Sequence, residues 1–223
     1  MNTDLPHRRA RIVSFDLDGT ITDRSFADSV WLEEMPRQYA VKNDVSFETA
    51  KAKVTSEYAK VGRERLEWYD LSYWIEKFGL NISSNDVLCS FQHAIRVFPD
   101  TLEVLEGLRH EGFKLIILTN ARKEFVDLEL EKTKIRHFFE QVFSSTSDFG
   151  QVKNTVSTYR KVCNICGISP SELVHVGDDE CFDFEVPKKL GLIAFYLDRT
   201  GEHSGKFMVR SLKELRDILV KRA

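Results

Sequence analysis

The chain has 223 residues, 42% of them hydrophobic and 30% charged, with a formal net charge of −3. That length can bury a real core, as one domain or as one domain carrying an insert. The charge balance argues against a general nucleic-acid binder, and apolar stretches such as Leu115 to Leu118 are too short to cross a membrane.

Met1 to Arg11 is polar and basic with no apolar centre, so it does not read as a secretory signal. The expectation is a cytoplasmic protein. Ile12 to Asp16 is a short apolar run ending in an acid, which suits a buried strand. From about Thr22 to about Val97 the pattern is helical. Pro36 breaks or kinks a helix around Trp31 to Tyr39. Phe47, Ala50, Val54, Tyr58 and Val61 form a stripe that Ser46 can cap. Trp68, Leu71, Ile75 and Phe78 form a second stripe, which Gly79 can end. Val87, Leu88, Phe91 and Ile95 suggest a third.

After Pro99 strands and helices alternate. Helices are predicted over Leu102 to His110, Glu124 to Lys134, Thr155 to Cys166, Phe184 to Leu190 and Leu212 to Leu219. Strands are predicted over Lys114 to Leu118, Val142 to Ser144, Leu173 to Val176 and Ile193 to Tyr196. Alternation of this kind predicts an α/β fold, a Rossmann-like three-layer core with a parallel sheet. The core comprises residues 1–21 and 97–223, and residues 22–96 form an inserted all-helical cap domain. Four cysteines (Cys89, Cys163, Cys166 and Cys181) should be reduced thiols in a cytosolic chain. Cys163 and Cys166 have no second pair to complete a zinc site and share a helical stripe with Val156 and Tyr159, so they read as small buried apolar residues.

In such sheets, sites form at the carboxyl ends of the strands. The first strand ends in Asp16-Leu17-Asp18-Gly19-Thr20, the second in Thr119-Asn120, and the fourth in Gly177-Asp178-Asp179 with Asp183 close behind. Lys153 follows the third. Clustered carboxylates repel one another, and a bound cation relieves this. All-oxygen donors point to Mg²⁺ rather than zinc, and the metal invites a phosphate. Thr119, Asn120 and Lys153 can hold phosphate oxygens. Asp16 can attack phosphorus, while Asp18 protonates the leaving oxygen and later activates water. Gly19 lets the chain turn away after the strand.

These motifs resemble the haloacid dehalogenase superfamily, in its phosphatase branch with a helical cap after the first motif, as in phosphoglycolate phosphatases. Asp16 to Thr20 matches DxDGT, Thr119 the second motif, Lys153 the family lysine, and Gly177-Asp178 with Asp183 the acidic fourth motif. The resemblance implies that Asp16 is the nucleophile and that Asp18 is the acid–base, lending a backbone carbonyl to the metal. It makes Asp178 a magnesium ligand, Thr119 a phosphate ligand and Lys153 the charge partner of both nucleophile and phosphate. Asp183 would orient Lys153 or support the metal, and Asp179 could do either. Two departures stand out: Asn154 where family members often have proline, and Asp100 where they often have glycine.

The implied activity is magnesium-dependent hydrolysis of a small phosphomonoester through an aspartyl-phosphate. Phosphoglycolate or another small phosphorylated acid, a sugar phosphate and a nucleoside monophosphate all remain open, as does the oligomeric state. Asp18 argues against a dehalogenase and Gly177 against a mutase, and no cap lysine is marked out as a phosphonatase would require. A catalytically weak binding or regulatory protein is the alternative from another class. Among cap-side residues, Trp68, Tyr69, Tyr73 and Trp74 read as helix packing, and Arg63 and Arg65 as a solvated face. Of Arg24, Arg63, Arg65 and Arg122, the best substrate-binding candidate is Arg122, just after Thr119-Asn120. His175, on a buried strand, reads as structural.

Overall fold

The structure, a computed structural model, describes residues 12–221; the reading of Met1 to Arg11 lies outside them. The chain opens with β1 (Ile12–Phe15). A helical block follows: α1 (Ser25–Asp28), a π-helical turn (Ser29–Glu34), α2 (Met35–Asn43), α3 (Phe47–Val61), α4 (Leu71–Phe78) and α5 (Ser84–Phe91). The chain continues through α6 (Thr101–His110), β2 (Lys114–Thr119), α7 (Lys123–Thr133), β3 (Gln141–Ser144), α8 (Ser145–Asp148) and α9 (Val156–Cys166). It ends with β4 (Leu173–Gly177), a second π turn (Glu180–Glu185), α10 (Val186–Leu190), β5 (Ile193–Leu197), β6 (Met208–Val209) and α11 (Leu212–Val220).

The strands form one parallel sheet in the order β3-β2-β1-β4-β5-β6. This is the doubly wound arrangement, with its switch point at β1, where successive strands change sides. Alternation along the strands separates two faces. Val13, Phe15, Leu115, Ile117, Val174 and Val176 share one apolar cluster with residues of α6, α7 and α11. Ile12, Ile116, Leu118 and Leu173 join the other, with Tyr159 and Val162 of α9.

The helical block has a cluster of its own, centred on Val54, Tyr58, Leu71, Trp74 and Phe78 and reaching Phe125 of α7. Its ends lie side by side: Thr22 bridges Val97, and Asp23 N–H donates to Arg96 O at 3.0 Å. The expected caps form, since Ser46 accepts from Thr49 N–H and Gly79 closes α4 in the left-handed conformation; Asp70, not anticipated, caps the start of α4 by accepting from Tyr73 N–H.

Three features differ from the sequence reading. The two-residue strand β6 and the one-turn helix α8 carry no periodic signal of their own and were not expected. The helix expected from Phe184 begins at Glu180, as a π turn. Both π turns end two residues before a proline, Pro36 or Pro187. Proline has no N–H and its ring crowds the carbonyl four residues back; the widened turn relieves that clash.

Candidate active site

Asp16 directly follows β1, and its N–H extends the β1–β4 ladder to Val176 O at 2.9 Å. It therefore sits at the carboxyl edge of the switch strand. Lys153, brought in after β3, is 2% exposed. Its ammonium pairs with Asp16 Oδ1 and donates to Asp183 Oδ1 at 2.7 Å and Leu118 O at 3.1 Å. Burial opposes the charge on Lys153, but Asp16 and Asp183 together hold its pKa above the ordinary lysine value. Burial likewise works against an ionised Asp183, and Lys153 and His175 overcome it, holding the carboxyl well below its usual range. Gly177 makes room for this carboxylate: a Cβ there would lie 2.3 Å from Asp183 Cγ.

Asp178, at the end of β4, packs against the loop after β1. Gly19 has φ +82°, and a Cβ on it would come 2.0 Å from Asp178 Oδ2. Only glycine allows this approach. Arg24, at the start of the helical block, donates to the same oxygen at 2.8 Å and 3.1 Å. Burial, and then Asp16, push Asp178 up to about 6 and Asp18 up to about 7. Asp18 Oδ1 is buried without a hydrogen-bond partner. One oxygen each from Asp16, Asp178 and Asp183 lies within 4.8 Å of the others. An all-oxygen cluster this concentrated fits a hard divalent cation, which would lower the cost of ionising the raised carboxyls.

The second strand contributes less freely than its sequence suggests. Thr119 Oγ1 accepts from Ala121 N–H at 3.2 Å and lines the cavity beside Asp16. The Asn120 side-chain oxygen Oδ1 is already occupied, accepting from Lys153 N–H at 2.8 Å and Ser145 Oγ at 2.7 Å. Its amide donates to Tyr69 Oη at 3.3 Å. Asn120 thus ties β2, the lysine loop and the helical block together.

The segment after α3 makes several polar contacts from the block. Arg63 pairs with Asp179 and lies 4.6 Å over the Phe182 ring. Arg122 pairs with Asp70 at 3.2 Å, and Asn154 donates to Glu64 O at 3.4 Å, a bond that proline could not make. Arg63 therefore does more than the solvated-face reading gives it, though its side chain stays half exposed, while the exposed Arg65 pairs with the half-buried Glu67 two residues on. Arg122 lines the cavity but is held by Asp70. The aromatic group divides: Trp74 is buried in the block, whereas Trp68 and Tyr69 line the cavity. That cavity has a volume of about 460 Å³ and runs between block and sheet edge, within the range of small-molecule sites.

One residue escaped the sequence reading, and the contacts of another did. Glu129 of α7 is completely buried, and neither carboxyl oxygen has a hydrogen bond of ordinary geometry. Burial, and then Asp18, raise its pKa well above the usual carboxylate range. The signal was a glutamate on the apolar face of a helix, four residues after Phe125 and three after Val126. His175 is buried as expected, but its Nε2 lies 3.0 Å from Asp183 Oδ1 and its Nδ1 3.0 Å from Ser14 Oγ. No sequence spacing announces those pairings.

Comparisons with known proteins bear on the family and the fold. A family model described as haloacid dehalogenase-like hydrolase matches residues 10–191. A curated relative, the GMP/IMP nucleotidase YrfG of Escherichia coli strain K12, is 28% identical over 180 residues, covering 81% of this chain and 79% of its own. The phosphoglycolate phosphatase of Aquifex aeolicus is 24% identical over 184 residues, covering 81% of each chain. Among solved structures, a HAD phosphatase from Thermococcus onnurineus superposes with a TM-score of 0.84 at 29% identity, covering 94% of this chain and 97% of that one.

Proposed function

The chain belongs to the haloacid dehalogenase-like hydrolase family, and from that premise we propose that it is a magnesium-dependent phosphatase acting on a small phosphomonoester through a phosphorylated Asp16. The observation that carries the reading is the placement of Asp16 against Lys153, at the sheet edge of a cavity large enough for a metabolite. The relatives' names support phosphoester hydrolysis. The four free thiols support the cytoplasmic setting read from the sequence.

Asp16 Oδ attacks phosphorus and the bond to the leaving oxygen breaks. Asp18, whose carboxyl is pushed up to about 7, gives its proton to that oxygen. The resulting Asp18 carboxylate then takes a proton from water, whose oxygen attacks the same phosphorus and releases Asp16. Lys153 and Thr119 hold phosphoryl oxygens. Asn120 fixes Lys153 through its backbone N–H at 2.8 Å, and Asp183 fixes it through its ammonium at 2.7 Å. Mg²⁺, held by Asp16, Asp178 and the backbone carbonyl of Asp18, would neutralise charge on the phosphoryl group. Asp183 supports that shell, and Asp179 supports Asp183: it caps the turn that carries Asp183 by accepting from Cys181 and Phe182 N–H at 3.0 Å and 2.9 Å, and donates its own N–H to Asp183 Oδ2 at 3.2 Å.

Residues 22–96 act in this reading as a cap domain that excludes water while the acyl phosphate exists. The test is phosphate release from an aryl phosphate. Release should require Mg²⁺ and vanish in Asp16→Asn with the fold intact; an Asn variant as active as the parent rejects the assignment.

A further inference from the structure

We infer that the cavity selects a phosphomonoester whose leaving group is flat, aromatic and uncharged, of the nucleoside class, with Trp31 and Asp28 as specificity-determining residues. The inference rests on the phosphatase reading for its phosphate end and on the block's side of the cavity for the rest.

That side is built from rigid rings. Trp31 stacks on Phe125 with ring centres 5.6 Å apart and planes 8° from parallel. Tyr58 meets Trp31 edge-on at 5.8 Å, and Trp68 packs against Tyr58 at 6.1 Å. Trp31, Tyr58, Trp68 and Phe125 all line the cavity, with the small side chains of Ala27 and Ala59 beside them. Rings locked by one another offer a flat apolar face at little further entropic cost. A flat ring system covers such a face; a short carboxylic acid leaves it wet.

The charges point the same way. The cavity's cations already have acidic partners: Arg24 on Asp178, Arg63 on Asp179, Arg122 on Asp70, and Lys153 on Asp16 and Asp183. These ion pairs gather at the sheet edge and along the seam. The lining contributed by α1, the first π turn and α3 holds one charged residue, Asp28. Its carboxylate makes no hydrogen bond among the described residues, although the charge of Arg24, one turn earlier, acts on it. It repels a second anionic group and accepts from ring N–H groups or sugar hydroxyls.

The test measures binding and turnover separately. Asp16→Asn protein with Mg²⁺ is titrated with a nucleoside 5′-monophosphate and with phosphoglycolate, followed by calorimetry and by tryptophan fluorescence. The nucleotide should bind at least tenfold more tightly and quench the fluorescence. Trp31→Ala should remove most of that preference, and Trp31→Phe should retain part of it if the alanine variant misfolds. Asp28→Lys should shift the preference toward phosphoglycolate. In the parent, kcat/KM should favour the nucleotide by the same order. Equal or tighter binding of phosphoglycolate overturns this inference. Failure to hydrolyse any substrate, an aryl phosphate included, overturns the phosphatase reading instead, and the binding comparison still decides the inference.

Discussion

His175 holds Asp183 Oδ1 at 3.0 Å from the buried middle of β4. Burial keeps the imidazole below its ordinary pKa despite the neighbouring carboxylate. With Asp183 ionised, a neutral His175 must carry its proton on Nε2 and donate it there, while Nδ1 accepts from the Ser14 hydroxyl. Ser14 and His175 are paired neighbours on β1 and β4, so the sheet register itself aims the ring. The lysine that steadies Asp16 is thus positioned by Asp183, and Asp183 by the sheet.

This chain of contacts makes His175 a positioning residue. His175→Leu should lower kcat about 10- to 100-fold, the usual effect of losing a group that orients a ligand, with KM changed only a few fold. Steady-state kinetics alongside circular dichroism checks it. An unchanged kcat would make the contact incidental.

Lys153 neutralises two buried carboxylates. Lys153→Met should abolish activity and destabilise the fold by about 3–5 kcal/mol at neutral pH, the typical cost of leaving buried charge unpaired. The loss should shrink as acid protonates the stranded carboxyls. Urea unfolding at two pH values measures both.

Glu129 has its pKa raised by burial, and then by Asp18. Below the unfolded glutamate pKa both states bind the proton, and its contribution to stability is full. As pH rises toward the folded pKa, only the unfolded chain ionises, so stability is lost, at up to about 1.4 kcal/mol per pH unit. Glu129→Gln should remove that slope and gain on the parent as pH increases. Urea melts from pH 5 to 8 test this, and a constant difference contradicts it.

Arg63 and Asp179 join the block to the sheet edge through an ion pair, and the guanidinium also lies over Phe182. Its side chain is 53% exposed, so the pair belongs with surface bridges, worth about 0.2–1 kcal/mol. A double-mutant cycle with Arg63→Ala and Asp179→Ala, read in kcat/KM, should show coupling of that size. Strict additivity would mean the pair does not help hold the block over the cavity.

The parts of this site legible in the sequence are those set by chain-local rules. Asp16, Thr119 and Asp178 end apolar strands, and parallel strands share one carboxyl edge. Gly19, read as the turn after the first strand, does take φ +82° there. Contacts joining distant segments were not legible. Asn120 reads as a phosphate ligand, but that its side-chain oxygen also holds Lys153 N–H and Ser145 could not be read from spacing. Asp100 replaces a common glycine and accepts from Leu212 N–H, at the start of α11, at 2.8 Å, and from Arg199. Arg63 lies 116 residues from Asp179. Such pairings depend on how the helical block meets the sheet, which periodicity does not encode.

The central claim is covalent chemistry at Asp16. The direct measurement is an acid-quenched single turnover with phosphate-labelled substrate, followed by peptide mapping. One phosphoryl group should appear on the peptide containing Asp16, decay as phosphate is released, and be absent from Asp16→Asn. Phosphate released without any labelled peptide, or a label on another residue, would contradict the account.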